Sequence, residues 1–191
     1  MPIAYRDAAD LDDLGLASFL RIERSGRGST YLGALFTIDA RGEPVELVYN
    51  ALETPTPLLW RPADLRRHAE RRLTASLLSV AEAEPRLLLC LADEVGVELF
   101  TQDIEVQIAI GRVERPADAQ PPGFDDDADD GSTLPAIPSA VHVFWQPSSP
   151  DEDSPERALF ERLSARGLLL EPFNRAGDAL REIYGARQPD A

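Results

Sequence analysis

Between Thr30 and Ala92 the hydrophobic spacing changes period, and that change limits the fold more than any other feature of the 191-residue chain. Leu32, Ala34, Phe36 and Ile38 alternate with other residues along Tyr31–Asp39, and Val45, Leu47 and Tyr49 do the same along Glu43–Asn50. A period of two belongs to a pleated strand. The Ala40-Arg41-Gly42 step between them predicts a tight turn and therefore a hairpin. Pro55, Pro57 and Pro62 then break the chain, after which Leu65, Ala69, Leu73, Leu77, Val80 and Ala81 recur at three- and four-residue steps. That spacing predicts an amphipathic helix near Arg61–Glu82, with Pro62 in the first turn where its missing N–H costs nothing. Pro85 ends the helix. Arg86–Ala92 follows, and its Leu87–Leu91 run does not alternate, which predicts a short central strand covered on both faces.

The flanks extend this pattern. Upstream, Leu16, Ser18, Leu20 and Ile22 alternate in a strand beginning near Leu14, which Ser25-Gly26-Arg27-Gly28-Ser29 breaks with turn-forming residues. Downstream, Ile104, Val106, Ile108 and Ile110 predict a fifth strand, and Ala140–Gln146 predicts a sixth. Ser154-Pro155-Glu156 is a helix start, with Leu159, Phe160 and Leu163 on the buried side and Gly167 as the stop. A last helix is predicted over Pro172–Tyr184. The expected fold class is α+β: a mixed sheet with a three-stranded antiparallel meander, a helix, then parallel strands in the order 3-2-1-4-5, plus C-terminal helices. The expected domain organisation is an α/β core over residues 1–113 and an acidic, Pro/Asp-rich disordered insertion over 114–139. A strand and two helices over 140–191 then complete the core or dock on it.

Charge bears on function. The net charge is −15, and all 19 basic residues are arginine. Residues 1–113 hold 18 acids and 12 arginines, whereas residues 114–153 hold 10 acids and one arginine. An acidic protein repels phosphate backbones unless a local basic patch overrides the field, so nucleic acid is disfavoured and a protein partner is expected instead. The single cysteine, Cys90, rules out an internal disulfide and sits in an apolar run. No apolar stretch approaches the ~20 residues of a membrane helix, and the acidic start is unlike a secretory signal, so a cytoplasmic protein is expected. His68 and His142 stand apart with no second ligand at zinc spacing.

The order strand, strand, strand, helix, strand, short helix, strand resembles the ribonuclease H-like fold over about Leu14–Val113. IERSGRGSTYLGALF is similar to that family's first hairpin, AERRLTASLLSVAEA to its first helix, and LLLCLADEVG to its fourth strand with an acid at the end. The resemblance implies metal-binding, catalytic acids at Glu23, Glu70 and Asp93, with Asp178 on the last helix as a fourth ligand. It also implies Mg²⁺, in pairs ~3.5–4 Å apart, for phosphodiester hydrolysis. Arg66, Arg67 and Arg71 would contact the nucleic acid.

Each of these residues also has a plainer reading. Glu70 stands three and four residues after Arg67 and Arg66, the spacing of helix ion pairs. Glu23 ends a strand beside Arg21 and Arg24. Asp93 stands where α/β folds place their sites, and equally where a helix cap is needed. The first-strand acid is Glu rather than Asp, Asp178 lies off its helix's apolar stripe, and the chain is acidic overall. The expectation is therefore a non-catalytic, cofactor-free accessory or interaction subunit, and the alternative is a divalent-metal-dependent nuclease.

Overall fold

The computed structural model describes residues 11–25, 30–54, 57–115 and 141–185. Its six strands form one mixed sheet: β1 (Leu16–Arg24), β2 (Thr30–Asp39), β3 (Pro44–Glu53), β4 (Leu87–Leu91), β5 (Ala109–Val113) and β6 (Val143–Gln146), in the order β3-β2-β1-β4-β5-β6. β1, β2 and β3 are the antiparallel meander; β4 pairs parallel to β1, with Ala17 opposite Leu87 and Leu20 opposite Cys90. β5 runs parallel to β4, and β6 returns antiparallel on the far edge. The α+β class and the central position of Leu87–Leu91 stand as the sequence predicts, and all five residues of β4 are buried.

Alternation assigns each side chain to one of two layers. Phe19, Phe36, Leu89 and Leu91 pack with Leu159, Leu163, Phe173 and Leu180 of α2 (Pro155–Ala165) and α3 (Glu171–Gly185). Leu20, Ile22, Leu35, Leu88 and Cys90 pack with Ala69, Leu73 and Leu77 of α1 (Pro62–Val80) on the other side. Phe19 meets Phe173 edge-to-face at 5.1 Å, a geometry the ring quadrupoles favour. Burial pushes the Cys90 thiol up to about 12, so it acts as a small hydrophobe.

Local signals explain the ends. Asp39 accepts from the N–H groups of Arg41 and Glu43 at 2.8 and 2.9 Å, and Gly42 takes φ +85, closing the β2–β3 turn. Ser154 caps α2 by accepting from Arg157 N, and Gly167 at φ +69 follows its end. One prediction needs correcting. The fifth strand starts at Ala109, not at Ile104, because its parallel ladder begins where Leu87 meets Ala109. Ile104, Val106 and Ile108 are nevertheless partly buried against the α1-side core, so their alternation reflects burial without sheet pairing. A π turn over Leu99–Asp103 precedes them. Residues 116–140, which hold most of the acidic insertion, lie outside the described residues. Among the described residues no helix is long and apolar enough to cross a membrane.

Candidate active site

The carboxyl ends of the parallel strands β1 and β4 gather the charged residues that the core excludes. On β1, Arg21 and Glu23 continue the face of Ala17 and Phe19, so they emerge on the α3 side. Arg21 is only 12% exposed and is held on three sides. It donates to the Phe173 carbonyl at 2.9 Å and to Glu23 Oε2 at 3.2 and 3.3 Å, and its Nη2 stands 3.5 Å from Glu94 Oε1. α3 admits the guanidinium through Gly177, where a Cβ would lie 2.9 Å from Arg21 Cζ.

Glu94 follows β4 and closes the group. Its Oε2 accepts from Ile22 N at 3.3 Å and its Oε1 from Arg115 Nη2 at 2.7 Å. Burial pushes its carboxyl above the ordinary value; Arg21, Arg115 and the Ile22 amide pull against that shift, and neighbouring Asp93 adds to it. The turn bearing Glu94 is fixed by two other arginines. Arg112 donates to the carbonyls of Ala92 and Val95, and Arg66 to those of Asp93 and Glu94, at 2.9–3.1 Å.

The structure separates the sequence-nominated acids. Glu70 is buried on the α1 side, where Oε1 accepts from Arg66 at 2.6 Å and Oε2 from Gly96 N at 3.0 Å. It braces the turn and does not join Glu23, which lies across the sheet. Asp93 is 58% exposed, with Arg115 Nη1 at 3.7 Å. Asp178 pairs with Arg181 on an exposed part of α3, at the rim of the cavity described below. On α1, Arg67 is committed to Asp103 at 2.7 and 2.8 Å and to Gln102 at 3.0 Å. That contact raises the Arg67 pKa and lowers the Asp103 carboxyl, with Arg71 adding to the lowering. What the sequence did not single out is Glu94, Arg21 and Arg115 as one unit. The signal was present in the ADE step after the central strand, where the second acid reaches inward.

Beside this unit opens a cavity of about 480 Å³ between the strand ends and α3, lined by Arg21, Leu91, Arg115, Phe173, Asn174 and Arg181, among others. A shallower groove of about 820 Å³ shares Arg181 with it and runs past Glu23 and Tyr184.

Magnesium, which the resemblance implies, needs several hard oxygen donors converging on one point. Among the described residues no group of three or more His, Cys, Asp or Glu side chains is so placed. Guanidinium groups stand between the carboxylates instead, with Arg21 bridging Glu23 and Glu94 and Arg115 bridging Glu94 and Asp93. The residues as arranged do not fit a resident metal centre.

No family model matches the sequence, and no curated protein matches it. Solved structures do match. Endonuclease V from Streptomyces avermitilis superposes with a TM-score of 0.52 at 16% identity, over 90% of this chain and 82% of that one. The catalytic domain of human Endonuclease V gives 0.49 at 12% identity over 89% and 82%. Endonuclease V from Ciona intestinalis, solved in complex with a 24mer DNA containing an inosine followed by a ribo-adenosine, gives 0.37 at 11% over 53% of this chain; the chain spans 46% of that protein. The Streptomyces likeness establishes a shared ribonuclease H-like fold.

These likenesses correct two expectations. The expectation of a non-catalytic accessory subunit does not stand, because the Streptomyces structure that shares this fold is an endonuclease; the nuclease alternative is taken up below. The preference for a protein partner over nucleic acid falls with that expectation. Segment charge does not describe the strand ends: the −15 is weighted towards residues 114–153, while the cavity wall carries Arg21, Arg115 and Arg181 with one carboxylate, Asp178.

Proposed function

We propose that this chain is a nuclease of the ribonuclease H-like superfamily that hydrolyses phosphodiester bonds of nucleic acid at the Glu23–Arg21–Glu94–Arg115 cluster. The observation that supports this reading most is a half-buried carboxylate, Glu94, with an upward-shifted pKa, held at the carboxyl end of the parallel strand pair between two arginines that line a cavity. Open α/β sheets bind ligands in that position, and perturbed carboxylates in clefts mark acid–base sites.

The side chains suffice for a concerted hydrolysis. Arg115, which faces the cavity, binds a phosphate oxygen and stabilises the charge that grows as water attacks. Glu94 takes the proton from that water as the new P–O bond forms, and passes it to the strand oxygen as the old P–O bond breaks. Arg21 fixes the Glu94 carboxylate, and Glu70, through Arg66, fixes the turn beneath it. The 820 Å³ groove past Glu23 and Tyr184 supplies a path for the strand.

The test is cleavage of end-labelled single- and double-stranded DNA and RNA, in EDTA and in Mg²⁺ or Mn²⁺. Wild type should cut at least one substrate, and Glu94→Gln should slow it about 100-fold or more with an unchanged circular dichroism spectrum. A wild-type protein that cuts none of them in any of these buffers sinks the reading.

A further inference from the structure

Beyond Arg115, the 480 Å³ cavity has a chemistry that hydrolysis at Glu94 does not use. Its floor is apolar, from Leu91, Leu170 and Phe173, and its wall is polar, from Asn174, Arg21, Arg115 and Arg181 with one carboxylate, Asp178. Its arginines are unequally committed. Arg21 is anchored to Phe173, Glu23 and Glu94. Arg115 is held by Glu94 at 2.7 Å, with Asp93 at 3.7 Å. Arg181, by contrast, meets only Asp178 in the described contacts, both side chains being about two-thirds exposed. An ion pair so open to water contributes little and is readily exchanged for a better acceptor. A phosphate dianion is one: it offers more oxygens and charge than a carboxylate and accepts guanidinium bonds in pairs. The volume exceeds what an inorganic anion fills and falls within the roughly 300–1,000 Å³ of small-ligand pockets. An apolar floor beneath a wall of three arginines, with Asp178 displaced from Arg181 by the incoming anion, suits a group with an anionic head and a flat body.

We infer that this cavity binds the terminal phosphomonoester of a nucleic-acid strand, the phosphate between Arg115, Arg181 and Asn174 and its nucleoside over Leu91, Leu170 and Phe173. The choice of nucleic acid rests on the nuclease reading above. Hydrolysing a phosphodiester leaves a phosphomonoester on one side of the break, so a pocket for that group beside Glu94 directs the protein to strand ends.

The experiment is fluorescence anisotropy in EDTA with the full chain and three oligonucleotides of one sequence, carrying a 5′-phosphate, a 3′-phosphate or hydroxyl groups only. One phosphorylated end should bind about tenfold more tightly than the hydroxyl-ended strand, the scale of hydrogen bonds between charged groups. Arg181→Ala and Asn174→Ala should each erase most of that preference and leave affinity for the hydroxyl-ended strand in place. Equal binding of all three strands, or a preference that survives both substitutions, overturns the inference. Competition by a nucleoside monophosphate or inorganic phosphate as strong as that by the phosphorylated strand also overturns it, since the ligand is then a free phosphomonoester. Parallel cleavage assays separate the two readings: cutting without end preference fails only the cavity, whereas no cutting on any substrate fails the nuclease.

Discussion

The two sides of the sheet meet the carboxyl ends of β1 and β4 with the same materials, acids and arginines, and use them in opposite ways. On the α1 side, Glu70 is buried, each of its oxygens accepts one hydrogen bond, and Arg66 spends its remaining donors on the backbone carbonyls of the turn. On the α3 side Glu94 is half-buried, and its partners Arg21 and Arg115 line a cavity. The difference comes from the covering helix. α1 lies over its face with Leu73 and Leu77 packed down to Gly33, while α3 has Gly177 where Arg21 needs room and leaves space beside Asn174. What stands beyond the arginine, a closely packed helix or a cavity, is thus the difference between the two acid–arginine pairs.

The strongest way to break this comparison is Arg21→Met, which keeps length and removes the charge. It leaves Glu94 and Glu23 short of a shared partner and the Phe173 carbonyl without its donor. Breaking one side of a buried pair costs about 3–5 kcal/mol, which urea denaturation will read as a lowered midpoint. Adding Glu94→Gln to that variant should restore part of the loss, because the uncompensated charge goes with it. A second substitution with no recovery would show that Arg21 matters through packing and not through Glu94.

Glu70→Gln sharpens the contrast at a smaller cost. It weakens the Arg66 and Gly96 contacts by about 1–3 kcal/mol, again read from the urea midpoint, and should leave cleavage per folded molecule unchanged. Activity lost to the extent seen with Glu94→Gln would make the two sides equivalent and return Glu70 to the site.

The sequence resolved the α1 side better than the α3 side, for a physical reason. Strand alternation, the unbroken Leu87–Leu91 run and the helix stripe depend on burial of one face of one element, and burial writes itself into local spacing. The Arg66–Glu70 pair was legible too, being four residues apart on one helix. Arg21, Glu94 and Arg115 come from β1, the turn after β4 and the end of β5, and Phe173 from α3. No spacing rule joins them; only the parallel register of β1, β4 and β5 does. The overlong fifth strand has the same origin, since Ile104, Val106 and Ile108 satisfy a burial pattern without the hydrogen-bonded neighbour that defines a strand.

The smallest expected effect is a pH dependence, and its sign is fixed. Burial raises the folded-state pKa of Glu94 above the ordinary 4.5. A carboxyl with a raised folded pKa holds its proton more tightly in the folded chain than in the unfolded one. Its contribution to stability is thus fully present below the unfolded value and is lost as pH rises through the folded one. The charged groups facing it are Arg21, Arg115 and Asp93, with Glu23 beyond Arg21. Urea midpoints of wild type and Glu94→Gln across a pH series isolate the effect, since all other titrations are shared. The wild type should lose ground to the variant as pH climbs from just above 4.5 and hold a constant gap once Glu94 is fully ionised. A gap that is flat throughout, or that closes as pH rises, would mean that Arg21 and Arg115 offset the burial of Glu94 in full, and the α3-side cluster would then be a structural brace with no poised acid.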